Sequence, residues 1–198
     1  MAALTWLGVP GEPDRWEACG FAVSDGRFVL DGVVFELNSV PAWGFETLDG
    51  APGRLGVPTY EKAPERGDTE HPNLVDRIDH VVYAVADLDE ATAAVEDVLG
   101  LTLRRRFQPR GPTGPEMAFY RAGPTVIEVV GGPREPALWG IAFLCPDLDA
   151  TVKAVRAAGG PIGDPKPAVQ GGRIASIWRE HVGWGVAIME PPARPGPS

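Results

Sequence analysis

The chain of 198 residues is 44% hydrophobic, carries a formal net charge of −9 and has a pI near 4.8. That balance suits one generous globular domain or two small ones, and the acidity argues against nucleic acid or an anionic membrane as main partner. No run of about 18 apolar residues is present to span a bilayer, and the first residues lack a signal-like basic start and apolar core.

The isolated Cys19 and Cys145 lie in apolar settings and read as buried free thiols, so a cytoplasmic protein is expected. Residues 4–9 read as a short strand, followed by a Gly/Pro turn and an apolar patch around Trp16 leading into a strand at 21–23. Asp25-Gly26 and Asp31-Gly32 are hairpin signals, framing strands at 27–30 and 33–37. No long helical period occurs before residue 75, so this half is expected to be all-β. Pro41, Pro52, Pro58, Pro64 and Pro72 then break up the chain, and 51–75 reads as a linker, most exposed over 63–72.

Residues 78–100, IDHVVYAVADLDEATAAVEDVLG, carry the clearest local grammar. The β-branched run 78–85 is a strand with His80 inside it. Asp87 stands where an N-cap belongs, with Glu90 three residues on, and Gly100 closes the helix as a C′ glycine. Strands follow at 101–107, 117–121 and 125–130. The same order returns later: strand 139–144, helix 148–158, then strands near 162, at 173–178 and at 185–189. His80 to Gly140, Leu88 to Leu148 and Gly100 to Gly160 are each 60 residues apart, so this is an internal repeat. Residues 28–37 parallel 119–129, with Glu36 at the place of Glu128, which makes 1–50 a degenerate β-rich copy lacking its helix. The expected layout is therefore 1–50, a 51–75 linker, a domain over 76–192 with modules 76–132 and 137–192, and a tail at 193–198.

Tandem β-α-β-β-β units with an I-D-H-V first strand, a D-L-D helix start and a V-I-E-V closing strand resemble the vicinal oxygen chelate superfamily. That group includes glyoxalase I, extradiol dioxygenases and the fosfomycin and bleomycin resistance proteins. The resemblance covers about residues 76–192 and implies an α+β fold whose two modules pair into a curved mixed-sheet cup. Metal-binding members place a His or Gln on the first strand and a Glu on the last strand of each module. Their metal holds two neighbouring substrate oxygens and stabilises an enolate or oxyanion.

Carried over position by position, the resemblance assigns His80 and Glu128 to module one. Module two offers Gly140, then Ile188 by the 60-residue offset or Ala187 by the preceding glycine turn. Half of the ligand set is missing, and one imidazole with one carboxylate is a poor zinc, nickel or iron site. His80 is then expected as a cup-lining histidine hydrogen-bonded to Glu128, a pair able to act as general acid and base. Tyr120 and Trp178, on middle strands, and Arg104, from a three-arginine run, are candidate ligand contacts. Gly140 and the apolar residue at 187 or 188 would widen and dry their side of the cup.

The leading expectation is a protein that binds a small organic molecule in its cup without a cofactor, either to sequester it or to act on it by acid/base chemistry. The different-class alternative is a divalent-metal-dependent lyase or dioxygenase using His80, Glu128 and Glu190. A third is a non-catalytic interaction module whose cup is filled by Trp16, Trp43 and Trp178. Whether the N-terminal copy packs outside the cup or helps form a homodimer stays open.

Overall fold

The structure, a computed structural model, describes residues 2–192 except 66, 68, 134 and 170, and the tail expected at 193–198 lies outside them. Its N-terminal part contains β1 (Leu4–Gly8), α1 (Pro13–Ala18), β2 (Arg27–Leu30), β3 (Val33–Glu36), β4 (Ala42–Phe45) and β5 (Thr59–Glu61). Asp31 and Gly32 join β2 to β3 with φ of 53° and 73°, the left-handed pair that a two-residue hairpin demands. Three expectations are corrected here. A short helix does stand between the first strands, opened by Pro13, whose missing N–H is no loss in a first turn. Residues 21–23 form no strand; Phe21 is instead buried against Trp16 and Phe28. Residues 51–75 are no free linker, because β5 pairs with β4 and Leu55, Val57, Asn73 and Val75 are buried. Asn73 ties this stretch down by donating to the Cys19 carbonyl (3.0 Å) and accepting from the Val75 N–H (3.1 Å).

The repeat forms one eight-stranded sheet. Module one supplies β6 (Arg77–Val85), α2 (Leu88–Leu99), β7 (Arg105–Phe107), β8 (Met117–Ala122) and β9 (Thr125–Gly131). Module two supplies β10 (Ala137–Leu144), α3 (Leu148–Ala157), β11 (Lys166–Pro167), β12 (Arg173–Ile177), the short α4 (Arg179–Val182) and β13 (Gly185–Glu190). The strand order is β11-β12-β13-β10-β6-β9-β8-β7. Asp87 caps α2 by accepting from the Asp89 and Glu90 N–H groups (both 2.9 Å), and Asp147 caps α3 through Ala150 (3.0 Å). Gly100 ends α2 at φ 60°. β11 is confined to the sheet edge, where Pro167 removes no ladder bond from a central strand.

The two modules meet where β6 and β10 pair antiparallel, and each strand has one extra residue there. The register jumps past Asp79 in β6 and past Trp139 in β10, two β-bulges 60 residues apart. The bulges preserve the repeat offset, so His80 and Gly140 are structural equivalents. In the parallel pairs, His80 lies beside Val126 and Gly140 beside Gly185, which makes Ala187 the counterpart of Glu128.

The five-stranded N-terminal sheet, β2-β3-β1-β4-β5, repeats the centre of the larger one, β8-β9-β6-β10-β13. Its successive pairings are antiparallel, parallel, antiparallel and parallel, as they are in the larger sheet. Its β1–β4 seam also carries a register shift, between Leu4 and Trp6. It is thus a shortened version of the whole two-module sheet and not of one module. It packs on the helix-bearing face, opposite the cup: Phe143 meets Phe21 and Phe35, and Tyr83 meets Trp43. The Tyr83 hydroxyl donates to the Leu55 carbonyl, and burial, then the Glu90 charge, push its pKa to about 12. Arg54 pairs with Asp97 of α2 at 2.5 Å. No helix among the described residues is long and apolar enough to cross a membrane.

Phe143→Ala removes the ring that both Phe21 and Phe35 touch and is expected to cost about 3–5 kcal/mol, read as a lowered urea midpoint. A loss below about 1 kcal/mol would show that this aromatic seam does not join the two sheets.

Candidate functional site

The bulge at Asp79 places two consecutive side chains, Asp79 and His80, on the helix-free face of the sheet. The His80 Nδ1–H donates to Asp79 Oδ2 at 2.6 Å, a tautomer assigned from this contact. That leaves Nε2 as the basic nitrogen in the neutral ring. Glu128 lies on the adjacent β9, beside Val82 and therefore two residues along the strand from His80's neighbour Val126, on the same face. No hydrogen bond joins His80 to Glu128; the expected partner is replaced by Asp79, and Glu128 acts through space. Burial lowers the proton affinity of His80, but the Asp79 hydrogen bond and the charges of Glu128 and Asp79 outweigh it and raise the pKa above 6.5. Burial also raises the Glu128 carboxyl, with His80 drawing it down, Asp79 pushing it up and Arg110 drawing it down.

These residues line a cavity of about 660 Å³ that adjoins a second of about 610 Å³, the two sharing His80, Arg110, Ile174 and Ser176. Module two contributes an apolar wall, with Ala142, Ala187 and Met189 on the cup face. Gly140 does not serve to widen this wall. A Cβ there would stand 2.5 Å from the Gly185 carbonyl oxygen, so the glycine permits close approach of β10 and β13.

Family metal sites draw on both modules, and the residues present do not fit one. The module-two counterparts are Gly140 and Ala187, neither of which carries a ligand atom on its side chain, so only His80 and Glu128 of the set are present. Glu190 faces away from the cup, held by Arg173 at 2.6 Å in a network with Asp149 of α3. The β10–β13 register, which pairs Ala142 with Ala187 and Leu144 with Met189, removes Glu190 from the candidate ligands. Among the described residues no group of three or more His, Cys, Asp or Glu is arranged to hold a metal ion.

The other candidates scatter. Trp178 is 57% exposed and lines the module-two side of the cup. Tyr120 is 1% exposed, its hydroxyl directed to the Thr92 carbonyl of α2 (3.4 Å), and burial, then the Glu96 charge, push it to about 12. It is a core residue beneath α2 and not a cup contact. Arg104 borders a separate cavity at the module-one edge. Trp16 and Trp43 are buried with the N-terminal sheet on the opposite face, so they do not fill the cup. Asp79 and Arg110 line the cup without having been singled out from the sequence, and Trp139, whose strand parity predicts core packing on the helix face, lines it too. A period-2 reading sends Asp79 and Trp139 to the helix face, and only the bulges turn them over.

Because folded His80 binds its proton more tightly than the unfolded chain, its stabilising contribution is full below about pH 6.5 and is lost as pH rises through the folded pKa. NMR titration of the His80 ring should give a value above 6.5 that drops in Asp79→Asn; a midpoint at or below 6.5 in the unsubstituted protein contradicts the assignment. Separately, Gly140→Ala should destabilise the fold by about 1–3 kcal/mol in denaturant titration, and unchanged stability would refute the close-approach role.

The comparisons agree with this architecture. No curated protein matches the chain. Among solved structures, methylmalonyl-CoA epimerase from Mycobacterium tuberculosis is 25% identical with a TM-score of 0.52, over 61% of this chain and 91% of that one. A methylmalonyl-CoA epimerase solved with methylmalonyl-CoA and NH4+ is 19% identical (TM-score 0.51), covering 62% and 99% of the two chains. A hypothetical protein from Bacillus halodurans C-125 is 18% identical (TM-score 0.52), covering 61% and 98%. The last two are likenesses of fold alone. Residues 77–188, more than half of the chain, match the model for the Glyoxalase/Bleomycin resistance protein/Dioxygenase superfamily, and the chain belongs to that superfamily.

Proposed function

We propose that the cup binds a small organic molecule and that His80, oriented by Asp79, works with Glu128 as a metal-free acid/base pair that moves a proton on it. The observation that carries this reading is the Asp79–His80–Glu128 cluster facing a cavity of about 660 Å³. Asp79 fixes the ring and its tautomer, so Nε2 is the atom that takes or returns a proton. Glu128, with its carboxyl raised by burial above the ordinary carboxylate range, is the second group able to exchange a proton in the cup. Proton exchange at one carbon needs a group to accept a proton and a group to deliver one, and the cluster contains both.

The 25% identical neighbour supports the same class of chemistry, since it is an epimerase and epimerisation replaces one hydrogen at a stereocentre by another. The apolar wall of Ala142, Ala187 and Met189, with the exposed Trp178 beside it, favours a second reading, sequestration without turnover. A homodimer is compatible with either.

The test is hydrogen–deuterium exchange by NMR at carbons next to carbonyl groups, in a panel of acyl thioesters and α-branched acids, with metal-stripped protein. Exchange is expected without added metal and should fall by about 10²–10⁴-fold in His80→Ala and in Glu128→Gln. Dependence on a divalent ion, or full exchange by His80→Ala, rules out the metal-free pair. Saturable binding without exchange leaves sequestration.

A further inference from the structure

A cavity of about 480 Å³ opens at the module-one edge of the sheet, lined chiefly by Arg104, Arg105, Phe107, Phe119, Arg121 and Val126. Phe119 and Val126 also line the cup, so the two cavities share a wall. Strand register puts Arg105 opposite Phe119 and Arg121 opposite Val126, on the cup face. Arg105 and Arg121 are held in place. The Arg105 guanidinium lies 4.1 Å over the Phe107 ring, which stacks on Phe119 at 5.3 Å, and Arg121 donates to the Pro124 carbonyl at 2.6 Å. Among the described residues none of the three has a carboxylate partner, and no Asp or Glu lines this cavity. The contrast is Arg106, which points to the other face and is clamped between Asp89 (2.5 Å) and Glu116 (2.8 Å). In a chain with a net charge of −9, these three exposed arginines around one apolar floor make a local positive patch.

We propose that this annex binds the phosphate or pyrophosphate end of an extended ligand whose other end reaches His80 and Glu128. The proposal rests on the cup being a ligand site. Guanidinium forks match phosphoryl oxygens in pairs, and three of them exceed what a single carboxylate needs. Arg121 on β8 and Arg105 on β7 stand two and three strand spacings from β6, about 10–14 Å, so the ligand must be a chain of that order with an anionic tail and a reacting head.

Calorimetry with inorganic pyrophosphate and with malonate, at low ionic strength, tests the annex. Pyrophosphate should bind one to one, with affinity lowered at least about tenfold in the Arg105→Gln/Arg121→Gln double variant. Lys153→Gln, on the far helix face, should leave it unchanged, and malonate should bind about tenfold more weakly than pyrophosphate. No saturable pyrophosphate binding, binding that the double variant leaves intact, or malonate bound equally well each overturns the proposal. The uncharged fluorophore N-phenyl-1-naphthylamine reports the cup separately and confirms that the double variant is folded. Fluorophore binding without pyrophosphate binding sinks the annex alone. Pyrophosphate binding without fluorophore binding upholds the anion site and sinks the cup reading on which the extended ligand depends.

Discussion

The antiparallel seam between β6 and β10, with a bulge in each strand, is the constraint on which the rest of this molecule depends. It joins the two modules into one continuous sheet, so neither module has an open edge where they meet. Each bulge puts two neighbouring residues on one face, which strict alternation forbids. In β6 the result is an acid beside an imidazole; in β10 it is Trp139 beside Gly140. One backbone device thus delivers the orienting carboxylate in one module and an aromatic wall in the other. The seam also fixes the opposite face: Tyr83 and Phe143 are turned toward the helices, where the N-terminal sheet covers them.

The electrostatics of the cup follow from the difference between the two modules. On the module-one side, three ionisable groups share a partly desolvated space: burial raises Glu128 against the pull of His80, while Asp79 and Glu128 raise His80 against its burial. On the module-two side the equivalent positions are Gly140 and Ala187, so no second charge is present there to compete for the proton. The cup thus has a polar wall on the module-one side and an apolar wall on the module-two side, a pairing that suits an amphipathic molecule.

Local rules made much of the fold readable from sequence. Asp87 and Gly100 act within a few residues of chain, and the same signals return 60 residues on, so the caps, the helices and the repeat are where those rules put them. The candidate site was less legible because it depends on register. Asp79 was hidden since alternation assigned it to the wrong face, and the His80–Glu128 hydrogen bond was expected for want of that bulge. Tyr120 had no readable face, because both sides of its strand are apolar enough to pack. Gly140 was legible as a gap in the ligand set, but the Gly185 carbonyl that requires the gap comes from a strand 45 residues on. Strands β4 and β5 were missed because they lie among the prolines of 41–72 and, unlike the equally short β2 and β3, no Asp-Gly hairpin signal frames them.

The N-terminal sheet separates what the fold supplies from what the site needs. Its seam places Trp6 where His80 stands and Glu36 where Glu128 stands, since Trp6 pairs with Val34 and Gly8 with Glu36 as His80 pairs with Val126 and Val82 with Glu128. There the two positions satisfy each other: Trp6 Nε1 donates to Glu36 Oε2 at 3.2 Å, and Lys62 lies 5.2 Å over the indole ring. The sheet is three strands narrower, lacking counterparts of β7, β11 and β12 whose residues wall the cavities of the larger sheet. The same backbone positions therefore give a packed aromatic surface in one sheet and a cup in the other. What turns them into a candidate site is the width of the sheet around them and an imidazole held by a bulged acid.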